Sequence, residues 1–429
     1  MRTLALVVGL SACSNGGHGH ATATTTTPTT ASGSVTTTTV VATTAAQLAT
    51  GRWSTIPAAP LTPRVDAALA WTGQELIVWG GEFQPKGVIH PVVEGDGAAF
   101  NPISGRWRRL PPAPLSGRAG AVAVWTGSEL IVLGGSDARQ LSGYNSQNLV
   151  AGPRDAAAYK PATNTWQSIR AMPLNLQPGA LGVWSGDRVV VLSGLNSAAY
   201  DPATGMWQRL PPADAPANLP GYKVDENGWS LAVATGTGRI FAWAVWAATK
   251  QISAQESQGT GGSDLFRYDE SSHRWTVLTG WANAIREPQE AFWTGTRLLV
   301  RGDQHIPGAL GPGPLPEVSR WYNPTTGTTT RLPPDALTAD HVPASQLSSA
   351  WTGDALWSLN AMGQTYRIKP GDASAYDATH YAWRRLRSAP FGCAMPVTPA
   401  WTGKSVLIYC PTPYPAQPNT IGGLEYTVR

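Results

Sequence analysis

The chain is poor in cysteine and in charge. It has three cysteines in 429 residues (Cys13, Cys393 and Cys410). That is too few for a disulfide-stapled scaffold or a thiolate metal cluster. Only 14% of its residues are charged, the net charge is +4, and no basic run or stripe occurs. Nucleic-acid binding therefore has no electrostatic footprint here, and no nucleic-acid partner is expected. No apolar run is long enough to span a bilayer as a helix. What the chain has instead is 46 glycines, 36 prolines and 19 tryptophans. Gly and Pro interrupt helices and favour turns. So many Trp against so little charge point to an all-β protein with repeated aromatic packing positions.

The N-terminus is read as an address followed by a tether. Met1-Arg2 is a minimal positive start, and Leu4 to Leu10 is a short apolar run. The next residues, Leu10-Ser11-Ala12-Cys13, resemble the bacterial lipoprotein signal. That resemblance implies a signal peptide over residues 1–12, diacylation of Cys13, and attachment to the outer face of the cytoplasmic membrane. Residues 14–50 are Ser, Gly and His, then mostly Thr and Ala, with little to bury. Residues 13–50 are therefore expected to be an acylated, disordered linker. His18 and His20 within it carry no ligand spacing.

From Gly51 onward one pattern recurs. Apolar strands end in Trp71-Thr72-Gly73, Trp125-Thr126-Gly127, Trp184-Ser185-Gly186, Trp293-Thr294-Gly295, Trp351-Thr352-Gly353 and Trp401-Thr402-Gly403. A degenerate copy, Thr235-Gly236-Thr237-Gly238, fills the gap in the middle. Each is expected to be a tight hairpin turn, since Gly accepts positive φ. Short apolar strands follow, such as Leu76 to Trp79 and Leu130 to Leu133, and two of them end in Gly80-Gly81 and Gly134-Gly135. Later in each unit an aromatic precedes a Trp by seven residues: Phe100/Trp107, Tyr159/Trp166, Tyr200/Trp207, Tyr268/Trp275 and Tyr376/Trp383. In one unit the Trp is replaced, so that Tyr322 pairs with Thr329.

Four strands per unit make one propeller blade, and a period near 50 residues suits kelch units. The order of strand, Gly-Gly, aromatic-Asx-Pro and Trp before Leu-Pro-Pro-Ala-Pro-Leu resembles the kelch family, including the central domain of galactose oxidase. The resemblance covers residues 51–429. It implies a seven-bladed β-propeller with four-stranded antiparallel blades. The last aromatic, Tyr426, has no outer strand after it, while Trp53 begins an outer strand with no blade before it. The ring is therefore expected to close by pairing the N-terminal strand with the last blade, which removes both free edges. A regular hairpin would set Cys410 opposite Val397. Pro396 and Pro399 distort that strand, and a Cys393–Cys410 disulfide is expected in an exported protein.

Function is less specified. The connections after the second strand are long in blades one, two, four, five and seven: Glu82–Gly97, Ser136–Asp155, Ala247–Asp264, Asp303–Val318 and Pro411–Gly422. Long loops on one face of a rigid scaffold are where binding resides. Arg64, Arg118, Gln177 and Arg286 stand seven residues before the inner-strand Trp, where blades six and seven have Ala344 and Ala394. They form a candidate ligand-binding mouth for carboxylates or other anions, or else a set of local braces. Asp66, Glu287 and Glu290 are candidate acids beside them. His90, His305 and His341 come from separate segments without metal-ligand spacing, so no metal and no cofactor are expected. The first reading is a monomeric, surface-anchored binding or scaffold module for an envelope glycan, a peptide or an exported protein. The alternative is a carbohydrate-active enzyme. The resemblance there is to sialate mutarotase-like propellers, whose arginines and acid would suit a carboxylated sugar, or to copper-dependent galactose oxidase-like enzymes.

Overall fold

The computed structural model describes residues 42–85, 91–137, 153–176, 179–193, 196–211, 223–225, 229–234, 239–252, 257–278, 287–303, 317–335, 337, 347–360, 371–378, 380–393, 397–411, 413–414 and 421–428. Their strands form seven antiparallel blades arranged as a propeller. Blade one is typical, with Ala68–Trp71 innermost, then Leu76–Trp79, Gly97–Asn101 and, outermost, Arg106–Arg109. The second strands are apolar on both faces because a neighbouring blade covers each side. Leu76 to Trp79 and Leu130 to Leu133 are all buried.

The hairpin turns on one face are built by the hydroxyl of the Trp-Thr-Gly motif. The Thr72 hydroxyl accepts the Glu75 N–H at 2.9 Å, while the Thr72 N–H donates to the Glu75 carbonyl. Thr126, Ser185, Thr294 and Thr402 repeat the arrangement. Gly73 sits at φ 90° with nothing near its missing Cβ, so its conformation rather than crowding requires glycine. The Thr235–Gly238 copy lies outside the described residues. The seven-residue spacing becomes cross-strand pairing between the third and outer strands. Phe100 faces Trp107, Tyr159 faces Trp166, and Tyr376 faces Trp383. Tyr322 faces Thr329, the unit without the Trp.

Blade seven closes the ring. Its inner and second strands, Ala400–Trp401 and Ser405–Tyr409, are followed by Ile421–Thr427, which pairs with Arg52–Pro57 from the start of the chain. Trp53 faces Tyr426 in that ladder, with ring centroids 4.8 Å apart. Cys393 and Cys410 are disulfide-bonded with Cα atoms 5.7 Å apart. The backbone at Cys393 pairs with Pro413 in a separate two-stranded patch, so the regular-hairpin register does not extend that far.

Two sequence expectations require correction. The linker does not run to residue 50: Ala42–Gly51 is ordered against the ring. A short helix, Ala45–Leu48, is held by a capping box between Thr44 and Gln47, and it buries Ala45 and Leu48. Two apolar side chains and one capping box suffice to order a segment of this composition when a groove exists to receive them. The second correction concerns the blade-four connection Ala247–Asp264, which is largely a ladder rather than an irregular loop. Arg239–Gln251 and Ser257–Asp269 pair continuously to Gln251 and Ser257, and Lys223–Asp225 adds to the edge. The loops of blades one, two, five and seven lie partly outside the described residues. No described helix is long and apolar enough to cross a membrane.

Candidate functional site at the axial mouth

Each inner strand begins on the loop face, opposite the Trp-Thr-Gly turns, because it runs antiparallel to a second strand that ends there. In blade one this start is fixed by reciprocal backbone bonds between Val65 and Glu82, both 2.9 Å. Arg64 precedes them, yet its side chain does not enter the mouth. It is 2% exposed. Its Nη1 donates to Asp96 Oδ1 at 2.6 Å and to the Gly80 carbonyl, and its Nε and Nη2 donate to the Thr62 carbonyl and hydroxyl.

Arg118 repeats this arrangement in blade two with no exposure. Its five N–H groups meet the Ser116 carbonyl, the Ser116 hydroxyl, the Gly134 carbonyl and both oxygens of Asp155. The candidate anion-binding mouth is thus corrected for these two residues. They are braces that tie the inner-strand start to the Gly-Gly turn and to the head of the third strand. Gln177 and Arg286 lie outside the described residues, as do Cys13, His90, His305, His341, Ala344 and Ala394.

Two residues after each of the first three mouth positions, the backbone turns left-handed: Asp66 at φ 52°, Gly120 at φ 61° and Gly179 at φ 84°. Glycine is the ordinary occupant of that conformation. Blade one keeps a side chain there, at a conformational cost of about 1 kcal/mol or more. Asn164, His273 and Tyr381 hold the same conformation in the turns before their outer strands, whereas Asp66 holds it at the start of an inner strand. The Asp66 carbonyl also accepts the Gly120 N–H at 2.8 Å, which links neighbouring blades at the axis. The Asp66 side chain is solvent-exposed. Even so, surrounding protein atoms desolvate it enough to push its carboxyl above the usual range. Glu82, half-buried across the Val65 bridge, is raised as well, first by its own desolvation and then by the charge of Asp66. Glu82 was not singled out from sequence. It directly follows the Gly80-Gly81 turn, and only the strand pairing reveals that it lies beside Asp66.

Glu290 stands elsewhere and does different work. It accepts the Ser349 N–H at 2.7 Å and lies 3.6 Å from Arg301. Arg301 and Asp335 are fully buried partners at 3.1 Å. Arg301 also donates to the hydroxyls of Ser349 and Ser358, and Ser374 donates to Asp335. This network joins blades five and six, and sequence reading missed it. The available signal was an arginine in Leu298-Leu299-Val300-Arg301, where other second strands carry Trp79, Leu133 or Leu192. Glu287 pairs through its backbone with Asp303, and its side chain lies outside the described residues. Among the described residues no three His, Cys, Asp or Glu side chains gather as a metal site would need.

No family model matches this sequence. The N-acetylneuraminate epimerase of Haemophilus influenzae strain PittEE is 25% identical over 169 residues, covering 34% of this chain and 44% of that protein. The protein of the same name from strain 86-028NP matches to the same extent. Kelch-like protein terF of Aspergillus terreus is 28% identical over 155 residues, covering 34% of this chain and 30% of that protein. The chain spans less than half the length of these curated relatives.

Proposed function

We propose that this propeller binds a sugar at the axial mouth of its loop face and catalyses proton exchange on it, with Asp66 and Glu82 as the acid–base pair. The observation that carries the reading is the side chain kept at φ 52° where blades two and three have glycine, with its carboxyl and that of Glu82 both raised. Opening a cyclic hemiacetal requires a proton delivered to the ring oxygen and a proton removed from the anomeric hydroxyl. Reclosure on the opposite face returns both and gives the other anomer. Two neighbouring carboxyls, each held above the usual carboxylate range, can donate one proton and accept the other without a cofactor. The partial similarity to N-acetylneuraminate epimerase supports a sugar as the substrate class. The lipoprotein-like start supports an exported protein held by Cys13.

The test is anomer exchange of N-acetylneuraminate and of neutral hexoses, followed by NMR saturation transfer with and without the protein. We expect acceleration that falls about 100-fold in Asp66→Asn. Equal exchange in wild type, variant and buffer would overturn the catalytic reading. A second reading is a docking module for an envelope glycan, a peptide or an exported protein, without turnover. The blade-four ladder favours it. At 13 residues its second strand is nine longer than blade one's, roughly 30 Å further along the strand direction. Sugar or peptide binding without exchange would select it.

A further inference from the structure

The segment that precedes the propeller does more than connect. Thr43 lies beside Gly353, in the turn between the inner and second strands of blade six. The Thr43 N–H donates to the Thr352 carbonyl, and the Thr352 hydroxyl donates back to the Thr43 carbonyl, both at 3.0 Å. The chain then forms the short helix Ala45–Leu48. Leu48 and Ala45 enter one apolar cluster with Ala350 and Trp357 of blade six and with Leu424 and Tyr426 of blade seven. The Tyr426 hydroxyl donates to the Leu48 carbonyl at 2.6 Å. A Cβ on Gly51 would strike the Tyr426 ring. The segment therefore crosses the seam between the last two blades on the turn face, and the next residues become the closing strand.

We propose that Ala42–Gly51 is a clasp that orients the ring. It brings the preceding chain off the turn face near the axis, so that the mouth holding Asp66 and Glu82 points away from the surface to which Cys13 is attached. The proposal rests on the anchored reading above and adds the direction of presentation. The closing strand already begins at the turn face, since Arg52 faces Thr427 and Thr427 faces Ser405 beside the Thr402 turn, and the clasp carries the attachment inward from the rim towards the axis. Docking at Thr352 and Tyr426 places the attachment on one side of the disc.

The experiment uses the full acylated chain in vesicles of phosphatidylcholine and phosphatidylglycerol that carry a headgroup quencher. One fluorophore is attached through Ser104→Cys on the turn face, and another, in a separate protein, through Pro63→Cys on the loop face. Quenching at 104 should exceed that at 63 by at least about twofold, as expected for a tether leaving the near side. Equal or reversed quenching overturns the orientation. Hydrogen exchange reads the clasp separately. The Thr43 and Gly51 amides should be protected in the wild type, and Leu48→Asp should speed Thr43 exchange at least about tenfold while reducing the quenching difference at least about twofold. Unprotected amides in the wild type overturn the clasp. Mass spectrometry that finds Cys13 without acyl chains overturns the anchored reading and the orientation with it, while the exchange result still decides whether the clasp exists.

Discussion

The indole N–H of Trp107, on the outer strand of blade one, donates to the backbone carbonyl of Pro57 in blade seven at 2.8 Å. The same bond recurs around the ring, from Trp166 to Pro111, Trp207 to Arg170, Trp383 to Pro333 and Trp53 to Arg387. In each case the acceptor lies four residues after the outer-strand position of the preceding blade. One residue type thus performs two tasks: its ring packs on the third-strand aromatic beside it, and its N–H fastens the next blade. Trp107→Phe keeps most of the packing and leaves the exposed Pro57 carbonyl to water, so it should cost about 1 kcal/mol in chemical denaturation. Trp107→Ala should cost about 3–5 kcal/mol. Equal effects of the two variants would show that the bond contributes nothing.

Arg118 has no donor left for a ligand. Arg118→Ala should therefore destabilise the propeller by about 3 kcal/mol, because Asp155 and the Gly134 carbonyl lose their partner. It should leave the affinity of a ligand at the axial mouth unchanged once folding is accounted for. A large loss of affinity with unchanged melting temperature would return Arg118 to the mouth. Arg118→Lys should recover little, since an ammonium cannot reproduce the planar fork.

The repeated elements were legible because they are local. A Thr-Gly turn, an aromatic and a Trp seven residues on are fixed by the geometry of one hairpin, so Tyr159 and Trp166 carry their pairing in their spacing. Closure was legible by counting strands around Trp53 and Tyr426. The arginines were misplaced because their partners lie 32 and 37 residues away, across loops of different length. A signal was present nonetheless. Aspartate stands four residues before the third-strand aromatic at Asp96, Asp155, Asp264 and Asp372. Asp66 was named as an acid, but its companion Glu82 depends on an antiparallel bridge that no local pattern announces. The Ala42–Gly51 clasp was hidden for a related reason: a ten-residue segment of ordinary composition gains order only from the groove it fills.

Burial raises three phenols, Tyr268, Tyr409 and Tyr426, each to about 12. In the unfolded chain a tyrosine titrates near 10. The folded state thus holds these protons more tightly, and the resulting stability is complete below about pH 10 and lost as pH rises towards about 12. The melting temperature should hold to about pH 9 and then fall, with the phenolate absorbance of these three tyrosines appearing together with unfolding rather than before it. Tyr409→Phe should weaken this alkaline dependence. A phenolate signal from all tyrosines near pH 10, in a chain that remains folded, would contradict the burial.

Asp66 separates function from stability. Its carboxyl is raised in the folded state, so its contribution is favourable below the unfolded value near 4 and is lost as pH rises and the carboxylate forms. The carboxylate form therefore works against the fold, and so does the φ of 52°. Asp66→Asn removes the charge alone and should raise stability at pH 7 more than at pH 4. Asp66→Gly also relieves the backbone, reproducing Gly120 and Gly179, and should add about 1 kcal/mol at both values. Both variants should lose anomer exchange. A residue retained only for structure would show the reverse, with Asp66→Gly loosening the link to the Gly120 N–H and lowering the melting temperature. Thermal unfolding of the two variants at the two pH values, beside the exchange assay, thus distinguishes a side chain kept for chemistry from one kept for the ring.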